Sequence, residues 1–418
     1  MTGSATPVAH HEPIDPGKTR RAASGIPIVP AFDGFRGIAI VAIVIFHTLQ
    51  NAIGVGPGES ALGRFIWAID PGQSCLNALF IVSGFVMFLP VAARDGRFGA
   101  VSAFAVRRAA RLFPAYFLVL ALSLLLIAVM PYDPPIPFPG IGDIVLTFTT
   151  LEVPAELFNF QYFLGFEMNR AIWTLSLDVT FYVLLVIFAT RWFRRPLVGL
   201  AISAAIAVGW RILFTNLDSV ASFLSTEISP SRAGELYLAA EIQFPFWAFS
   251  FGVGMTIALA FARRRSLAAV FDANRARAAQ IASVAGLAIV AVVVAVAQPV
   301  SVHYSPLLGP LYTALIGLFM AATIFCTERW QWPFTNGPMR WLGDVSYGVY
   351  LIHLVIITSL ARLVAMPTGD AGAAIVWLLA VVPLSILWGY LSAWIVERPV
   401  RAWASRWARR VPRDVAGP

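Results

Sequence analysis

Ten apolar stretches, each about twenty residues long, dominate this chain and decide what it can fold into. We place them at 34–54, 73–92, 112–130, 171–190, 197–214, 242–262, 279–298, 306–326, 342–365 and 374–396. A stretch of this length crosses the hydrocarbon core as a helix, because a helix satisfies its own backbone hydrogen bonds in lipid. Charged residues make up only 12% of the 418 residues, whereas soluble proteins average about 25%. The sequence therefore excludes a water-soluble enzyme and predicts an all-α, polytopic membrane helix bundle of about ten transmembrane helices.

The basic residues predict the orientation of this bundle. Most of the 30 Lys and Arg residues lie before the first stretch, at 94–111, at 191–195, at 263–277, at 329–340 and at 398–413. These segments alternate along the chain, and positive residues are retained on the cytoplasmic side. We therefore expect both termini in the cytoplasm and a multi-pass protein of the cell inner (plasma) membrane. The same rule explains the net charge of +8, so we expect membrane lipid and no nucleic acid as a partner.

The rest of the chain is divided around one membrane domain. Residues 1–30 are polar and contain no apolar core of a signal peptide, so we predict a disordered cytoplasmic tail. Residues 31–398 form the predicted transmembrane domain, and residues 399–418, which are basic and bear tryptophan, form an interfacial C-terminal tail. Two long loops, 131–170 and 215–241, carry several carboxylates and either cover a binding site or simply connect helices.

Ionisable side chains inside a span are rare and are candidates for function. Arg36 and His47 in the first stretch share one helix face, about 16 Å apart. Arg36 lies near the cytoplasmic end, and His47 lies in the outer half of the membrane. A neutral imidazole is tolerated at that depth and acts as a base; the alternative is that His47 only packs.

Asp178 in the fourth stretch is the predicted partner of His47. It lies about 10 Å below the outer end of its helix, at the depth expected for His47. A buried carboxylate needs a partner. Asp178 would then orient the imidazole as the third member of a triad does; the alternative is a hydrogen bond to a serine or to the backbone of a neighbouring helix.

Four other polar residues within spans have a supporting or a packing role. Ser83 lies in the segment LFIVSGF and is a possible nucleophile, although no G-x-S-x-G pattern surrounds it. Ser346, Tyr350 and His353 share one face of the ninth helix. Hydrogen-bonded packing is the alternative for all four.

Charged residues at the cytoplasmic edge suggest an anion site. Arg108 and Arg111 share a face just before the third stretch and either contact lipid headgroups or clamp a phosphate-bearing ligand. Glu397 closes the last helix at the same level. The five histidines and the two cysteines show no metal-ligand spacing, so we expect no metal and no bound cofactor.

Taken together and in order, these segments resemble the acyltransferase-3 family of integral-membrane acyltransferases. The resemblance covers about residues 30–400. It is carried by DGFRG with R-x10-H (Arg36, His47), SGF (Ser83), R-x-x-R (Arg108, Arg111), W-[ST]-L-x-x-[ED]-x-x-F-Y (Trp173 to Tyr182), S-Y-x-x-Y-x-x-H (Ser346 to His353) and E-R-P (Glu397).

The resemblance implies transfer of an acyl group from acyl-CoA, the donor substrate, to a carbohydrate hydroxyl. His47 would be catalytic together with Arg36, and Arg36, Arg108 and Arg111 would bind the donor. The chain departs from the family at Asp178 and Val179, where two glutamates are usual. The extracytoplasmic SGNH hydrolase-like domain of some relatives is not found, so a separate extracytoplasmic partner is one way to complete the transfer.

These inferences leave several alternatives open. The favoured function is O-acylation, by default O-acetylation, of a cell-envelope glycan; a cytosolic or lipid-linked glycoside such as a macrolide sugar is the second choice. Direct transfer and a transient acyl-enzyme on His47 or Ser83 are both possible. A proton-coupled transporter that uses His47 and Asp178 as a relay, and a non-catalytic binding protein, are the competing functions.

Overall fold

The computed structural model describes residues 29–54, 69–159, 167–217, 219, 230–267, 272–297 and 301–411, and this part of the chain is helical without strands. The long helices are α1 (Pro30–Ile53), α2 (Pro71–Ala92), α3 (Val101–Val129), α4 (Trp173–Arg194), α5 (Pro196–Thr215), α6 (Phe244–Ala262), α7 (Ala273–Ala297), α8 (Leu308–Phe325), α9 (Gly337–Leu363), α10 (Ala371–Ser392) and the terminal α11 (Arg398–Arg410). Shorter helical segments are Ile141–Phe148, Glu152–Asn159, Glu167–Ile172, Pro230–Glu241, Arg264–Leu267, Val302–Tyr304, Glu328–Thr335 and Ala393–Glu397.

Ten helices in the described ranges are long and apolar enough to cross a membrane, which confirms the predicted all-α membrane bundle. The largest difference is in α3, which begins at Val101 rather than at 112. Its 29 residues are about 44 Å long, so the helix extends beyond the roughly 30 Å hydrocarbon core. Arg108 and Arg111 therefore lie within α3, not before it.

Local sequence explains why several helices begin where they do. Proline occupies the first turn of α1, α2, α5 and α9, where its missing N–H costs nothing. The side chains of Asp70, Asn336 and Asp370 cap α2, α9 and α10 by accepting hydrogen bonds from the backbone N–H of Gln73, Met339 and Ala373.

Close backbone contacts at glycine hold the central helices together. A Cβ atom on Gly84 of α2 would lie 2.3 Å from the carbonyl oxygen of Phe251 in α6, and one on Gly254 would lie 2.1 Å from that of Ile81. Gly343 of α9 lies equally close to the backbone of Asp33 in α1. Without a hydrophobic force between helices in lipid, such contacts are a main source of association.

The α2–α6 pair forms the centre of the bundle. In the most apolar 18-residue part of the span that contains α6, 72% is buried inside the bundle, whereas in α5 the corresponding share is 17%. Helix α5 therefore lies at the periphery. Phe80, Trp247, Phe251 and Phe181 pack ring against ring between α2, α4 and α6. This aromatic core fixes the relative positions of the helices that carry the polar residues.

The two ends of the bundle differ in charge. We call the end where α1, α3 and α9 begin the arginine face, because Arg36, Arg111 and Arg340 lie near it, and the opposite end the far face. The assignment of the arginine face to the cytoplasm stays a prediction. Residues 1–28 of the predicted N-terminal tail (1–30) and residues 412–418 of the predicted C-terminal tail lie outside the described residues. The described part of the C-terminal tail belongs to α11, which exposes Trp403 and Trp407. The interfacial role of this helix also stays a prediction.

The glycine contacts predict a specific pattern of stability. Gly84→Ala should lower the free energy of unfolding by about 1–3 kcal/mol, because its Cβ meets a backbone oxygen that cannot move aside. Gly209→Ala in α5 is the matched control, since nothing lies within 4 Å of its added Cβ. Thermal unfolding of both purified variants in detergent measures the difference, and equal melting temperatures would contradict it.

Candidate active site

A basic vestibule opens at the arginine face. Its volume is about 440 Å³, within the 300–1,000 Å³ or so typical of ligand pockets. Its walls are Asp33, Arg36, Arg111, Gly337, Arg340, Trp341, Gly343, Asp344 and Arg401. Four guanidinium groups therefore face two carboxylates, and the vestibule carries a net positive charge.

Ion pairs neutralise only part of this charge. Arg36 pairs with Asp33 at 3.5 Å. Asp344 binds Arg398 at 2.7 Å and Arg401 at 3.5 Å. Within the described residues, the vestibule arginines Arg111 and Arg340 form no ion pair, so their guanidinium groups are available to an anionic ligand.

A narrower cavity of about 100 Å³ continues from the vestibule into the bundle. Arg36 and Arg111 belong to the walls of both cavities. The inner walls combine apolar residues with polar side chains; they include Ile40, Leu76, Leu79, Phe80, Ser83, Met87, Arg108, Leu112, Thr174, Leu175, Asp178, Tyr182, Ser346, Tyr347, Tyr350 and Leu351. The inner cavity is therefore lined both by arginines that it shares with the vestibule and by Tyr350 in α9.

Asp178 is surrounded by arginines in this inner cavity. Its Oδ1 accepts a hydrogen bond of 2.9 Å from the Ser83 hydroxyl. The side chains of Arg111, Arg36 and Arg108 lie close enough to attract it electrostatically. The Nε atom of Arg108 is buried and has no hydrogen-bond partner within the described part of the chain. A buried guanidinium N–H without an acceptor is costly, and a bound anion would satisfy it.

The predicted pair of Asp178 and His47 is wrong. Asp178 lies among Ser83 and the arginines near the arginine face, and His47 is bonded to another histidine. The estimate of equal depth failed because the helical segment Glu167–Ile172 precedes α4 and extends the span toward the far face. Measured from the far-face end of this longer span, Asp178 lies deeper in the bundle than the hydropathy pattern predicts.

His47 and His353 form a pair. His47 Nδ1 lies 2.9 Å from His353 Nε2, although the two residues are far apart in sequence. The ring planes differ by 4° and the ring centroids are 5.2 Å apart. The centroid distance exceeds the nitrogen distance by about two ring radii, so the rings lie edge to edge in one plane with the hydrogen bond between them. The structure thus gives His47 a histidine partner in place of a carboxylate.

Tyr350 connects the wall of the inner cavity to this histidine pair. The rings of Tyr350 and His353 have centroids 5.4 Å apart. The Tyr350 hydroxyl donates to the carbonyl oxygen of Ala171 at 3.2 Å. Ser346, one turn earlier, donates to Gly343 O at 2.9 Å within its own helix. The predicted shared face of α9 is therefore present, with Ser346 and Tyr350 on the cavity wall and His353 behind Tyr350.

Glu397 lies apart from the histidines. It is 2% exposed and accepts a hydrogen bond of 3.2 Å from the Ser392 hydroxyl. The expectation that Glu397 closes the last helix is wrong, because the chain passes through a π-helical turn at Ala393–Glu397 and continues as α11. Pro399 follows in the first turn of α11, where its missing N–H costs little.

Comparisons with known proteins identify the family of this chain. A sequence profile of the Acyl_transf_3 family, described as an acyltransferase domain, matches residues 29–394. The chain belongs to the acyltransferase-3 family. The resemblance drawn from the six motifs is thereby confirmed, and with it the assignment as a multi-pass membrane protein.

Two curated relatives align over most of the chain. "Peptidoglycan O-acetyltransferase OatA" of Listeria monocytogenes is 24% identical over 387 residues, which cover 89% of this chain and 56% of the relative. "Putative peptidoglycan O-acetyltransferase YrhL" of Bacillus subtilis is 22% identical over 402 residues, 92% of this chain and 56% of the relative. The chain thus spans little more than half the length of these family members. No solved structure is significantly similar to it.

A second buried polar cluster lies toward the far face, and sequence analysis missed it. Asn77 of α2 donates to His303 Nδ1 at 3.2 Å and accepts from Ser250 and Thr313. His303 Nε2 contacts the Ile69 carbonyl at 3.2 Å. Burial lowers the pKa of His303 to about 3, so the ring is neutral. Because its ring nitrogens have protein partners, we interpret His303 as a structural residue, and Asn77 as the residue that joins α2, α6 and α8.

A carboxylate of this cluster occupies the first part of the sixth span. Gln73 Nε2 donates to Glu241, and the Tyr304 hydroxyl donates to its second oxygen at 3.0 Å. Arg211 donates to the carbonyl oxygens of His303 and Phe246 at 2.8 and 2.9 Å. Arg211 is therefore a buried link between α5 and this cluster.

Glu152 in the loop between α3 and α4 is also buried. It is 4% exposed, and one of its oxygens accepts a hydrogen bond of 2.5 Å from Ser176 in α4. Burial raises the pKa of Glu152 from 4.5 to about 7, which the Ser176 bond only partly offsets. This part of the loop packs on α4 and is more than an exposed connection.

The raised pKa of Glu152 predicts a pH-dependent stability. The folded state binds more protons than the unfolded state between pH 4.5 and about 7, so the free energy of unfolding falls as pH rises through this window, by on the order of 2 kcal/mol. Glu152→Gln removes the buried charge and should be more stable than wild type at pH 8 but not at pH 4.5. Thermal unfolding at both pH values measures this. The exposed Glu328→Gln is the control, and a Glu152→Gln variant that is no more stable at pH 8 would contradict the account.

Proposed function

We propose that this protein is an integral-membrane O-acyltransferase that moves an acyl group, expected to be acetyl, from cytoplasmic acyl-CoA to a hydroxyl of a cell-envelope carbohydrate. The observation that carries the proposal is the pair of adjoining cavities beside the two histidines. Arg36 and Arg111 line both cavities, and Tyr350, whose ring centroid lies 5.4 Å from that of His353, lines the inner one. Membership of the acyltransferase-3 family supports it.

The vestibule suits the nucleotide end of CoA. Phosphates prefer the planar, bidentate donors that guanidinium groups provide, and Arg111 and Arg340 are free to bind them. The indole of Trp341 is 42% exposed in the same wall and offers a face for the adenine ring. CoA phosphates enter hydrocarbon only at great cost, so we infer that they stay in the vestibule.

The inner cavity suits the pantetheine arm. Its apolar residues would pack against the arm, and Arg108 with its unpaired Nε would hold a polar atom of the donor. Arg36 and His47 are about 16 Å apart along α1, which an extended pantetheine chain bridges. The thioester would thereby reach the neighbourhood of Tyr350 and His47, with Ser83 keeping Asp178 oriented among the arginines.

We infer direct transfer with His47 as the general base. The acceptor hydroxyl loses its proton to His47 Nε2 while its oxygen attacks the thioester carbonyl carbon. The new ester C–O bond forms and the C–S bond breaks. The proton then passes from His47 to the departing thiolate, which leaves as free CoA thiol, and the enzyme returns to its starting state.

The relatives' names support a cell-envelope acceptor. Both are named for peptidoglycan O-acetylation, which favours an envelope glycan over a macrolide-type glycoside. We place the protein in the plasma membrane, with the acceptor arriving from the far face, either directly or through a separate extracytoplasmic partner. The alternative proton relay through His47 and Asp178 is not supported, because these residues bind different partners.

The first test is acetyl-CoA turnover by purified protein. Wild type should release free thiol from acetyl-CoA, faster when N-acetylglucosamine oligomers are present as acceptor probe. His47→Ala should lose at least about 100-fold of this rate, since it lacks the general base. Asn51→Ala, one turn further along α1 and exposed, is the control. Full turnover by His47→Ala would refute the proposed function.

The vestibule proposal predicts a change that depends on the donor. Arg340→Gln and Arg401→Gln should each raise the KM for acetyl-CoA about three- to tenfold, because each loses about 1 kcal/mol of phosphate binding. The KM for acetyl-pantetheine, which has no nucleotide, should not change. Arg329→Gln, a basic residue that does not line either cavity, is the control. Equal effects on both donors would exclude nucleotide binding in the vestibule.

A further inference from the structure

We propose that His353 is a positioning residue that fixes the tautomer of His47 and shares its proton during acyl transfer. This inference rests on the proposed function and adds to it a second histidine with a defined role. His353 thus has the role that the sequence predicts for Asp178, which is to orient the imidazole of His47. Its basis is the hydrogen-bond chain from the Tyr350 carbonyl through His353 to His47.

The chain begins at a group that only accepts. The carbonyl oxygen of Tyr350 lies 2.5 Å from His353 Nδ1. A carbonyl has no hydrogen to donate, so Nδ1 of His353 carries the proton. In a neutral imidazole the other nitrogen then has a lone pair. His353 Nε2 is therefore an acceptor.

The acceptor on His353 fixes His47 in turn. His353 Nε2 is 2.9 Å from His47 Nδ1, so His47 Nδ1 must carry the proton and donate it. The coplanar rings aim this N–H along the lone pair of its partner. His47 Nε2 is left with its lone pair, and within the described residues it forms no hydrogen bond. The nitrogen that a general base needs is thus kept free.

Burial fixes the hydrogen-bond partners of the two ring nitrogens of His353. Its side chain is 0% exposed, so water cannot replace either partner. The chain also contains a contrasting histidine. His303 accepts at Nδ1 from Asn77 and donates at Nε2 to Ile69, so it holds the opposite tautomer and has no free lone pair. Packing alone therefore does not produce the arrangement seen at His47.

The pair gives the proton a path during the reaction. When His47 Nε2 takes the acceptor hydroxyl proton, the Nδ1 proton of His47 moves toward His353 Nε2, and the positive charge spreads over both rings. The return of that proton to His47 Nδ1 accompanies delivery of the Nε2 proton to the CoA thiolate. No proton is gained or lost over the cycle, and no further reactant is needed.

Two amide substitutions test this role. In His353→Gln, the side-chain oxygen reaches the position of Nε2 and can accept from His47; in His353→Asn, which is one methylene shorter, it cannot. Thiol release from acetyl-CoA should fall less than about tenfold in kcat for Gln. It should fall about 100-fold or more for Asn and for His353→Leu. The KM for acetyl-CoA should not change in any of them.

The outcomes separate the two proposals. Equal losses in the Gln and Asn variants, or full activity in His353→Leu, beside an inactive His47→Ala, would overturn the role of His353 and leave the proposed function intact. Full activity in His47→Ala would remove both.

Nitrogen-15 NMR of the histidine-labelled wild-type protein provides a measurement that does not depend on a variant folding. His47 and His353 should both show the Nδ1–H tautomer, and His303 should show the Nε2–H tautomer as an internal reference. An Nε2–H tautomer at His47 would overturn the inference. In His353→Gln the His47 signal should keep its Nδ1–H character.

Discussion

A cluster of guanidinium groups held around one carboxylate inside a membrane bundle is the constraint on which this structure depends. Arg36, Arg108 and Arg111 all interact with Asp178, and Asp33 pairs with Arg36 alone, so three positive charges face two negative ones. Three charges of one sign can be held so close only if the helices that carry them cannot separate. Arg36 lies on α1, and Arg108 and Arg111 lie on α3. The glycine contact holds α1 against α9, and the Tyr347 hydroxyl of α9 donates to the carbonyl oxygen of Leu112 in α3 at 3.0 Å, so α9 links the two helices that carry the arginines. The uncompensated charge would favour an anionic ligand.

Much of this architecture can be predicted from the sequence. Hydropathy identifies the ten spans because a span must be long and apolar whatever its neighbours are. The arginines of the site could be grouped because Arg108 and Arg111 are close in sequence and Arg36 belongs to a recognisable motif. These features are local, and local patterns are what a single sequence records.

The contacts between helices could not be predicted in the same way. Hydropathy gives the depth of a residue only relative to the end of its own apolar stretch, and the span that contains α4 begins at Met168 rather than at 171. The sequence therefore predicts Asp178 as the partner of His47 and identifies His353 only as a polar residue on α9, whereas His353 forms the hydrogen bond with His47. His303 gave no signal, because it lies in a short connection and its partners come from Asn77 and the backbone at Ile69.

The π-helical turn at Ala393–Glu397 has a consequence for the shape of the vestibule. A π turn holds one residue more than a regular turn, and each residue rotates a helix by about 100°. The turn therefore sets the rotational phase of α11, and with it the direction in which Arg398 and Arg401 point toward Asp344. A regular helix through this segment would carry the same residues but present a different side. The one additional residue of the π turn therefore determines which side chains of α11 line the vestibule.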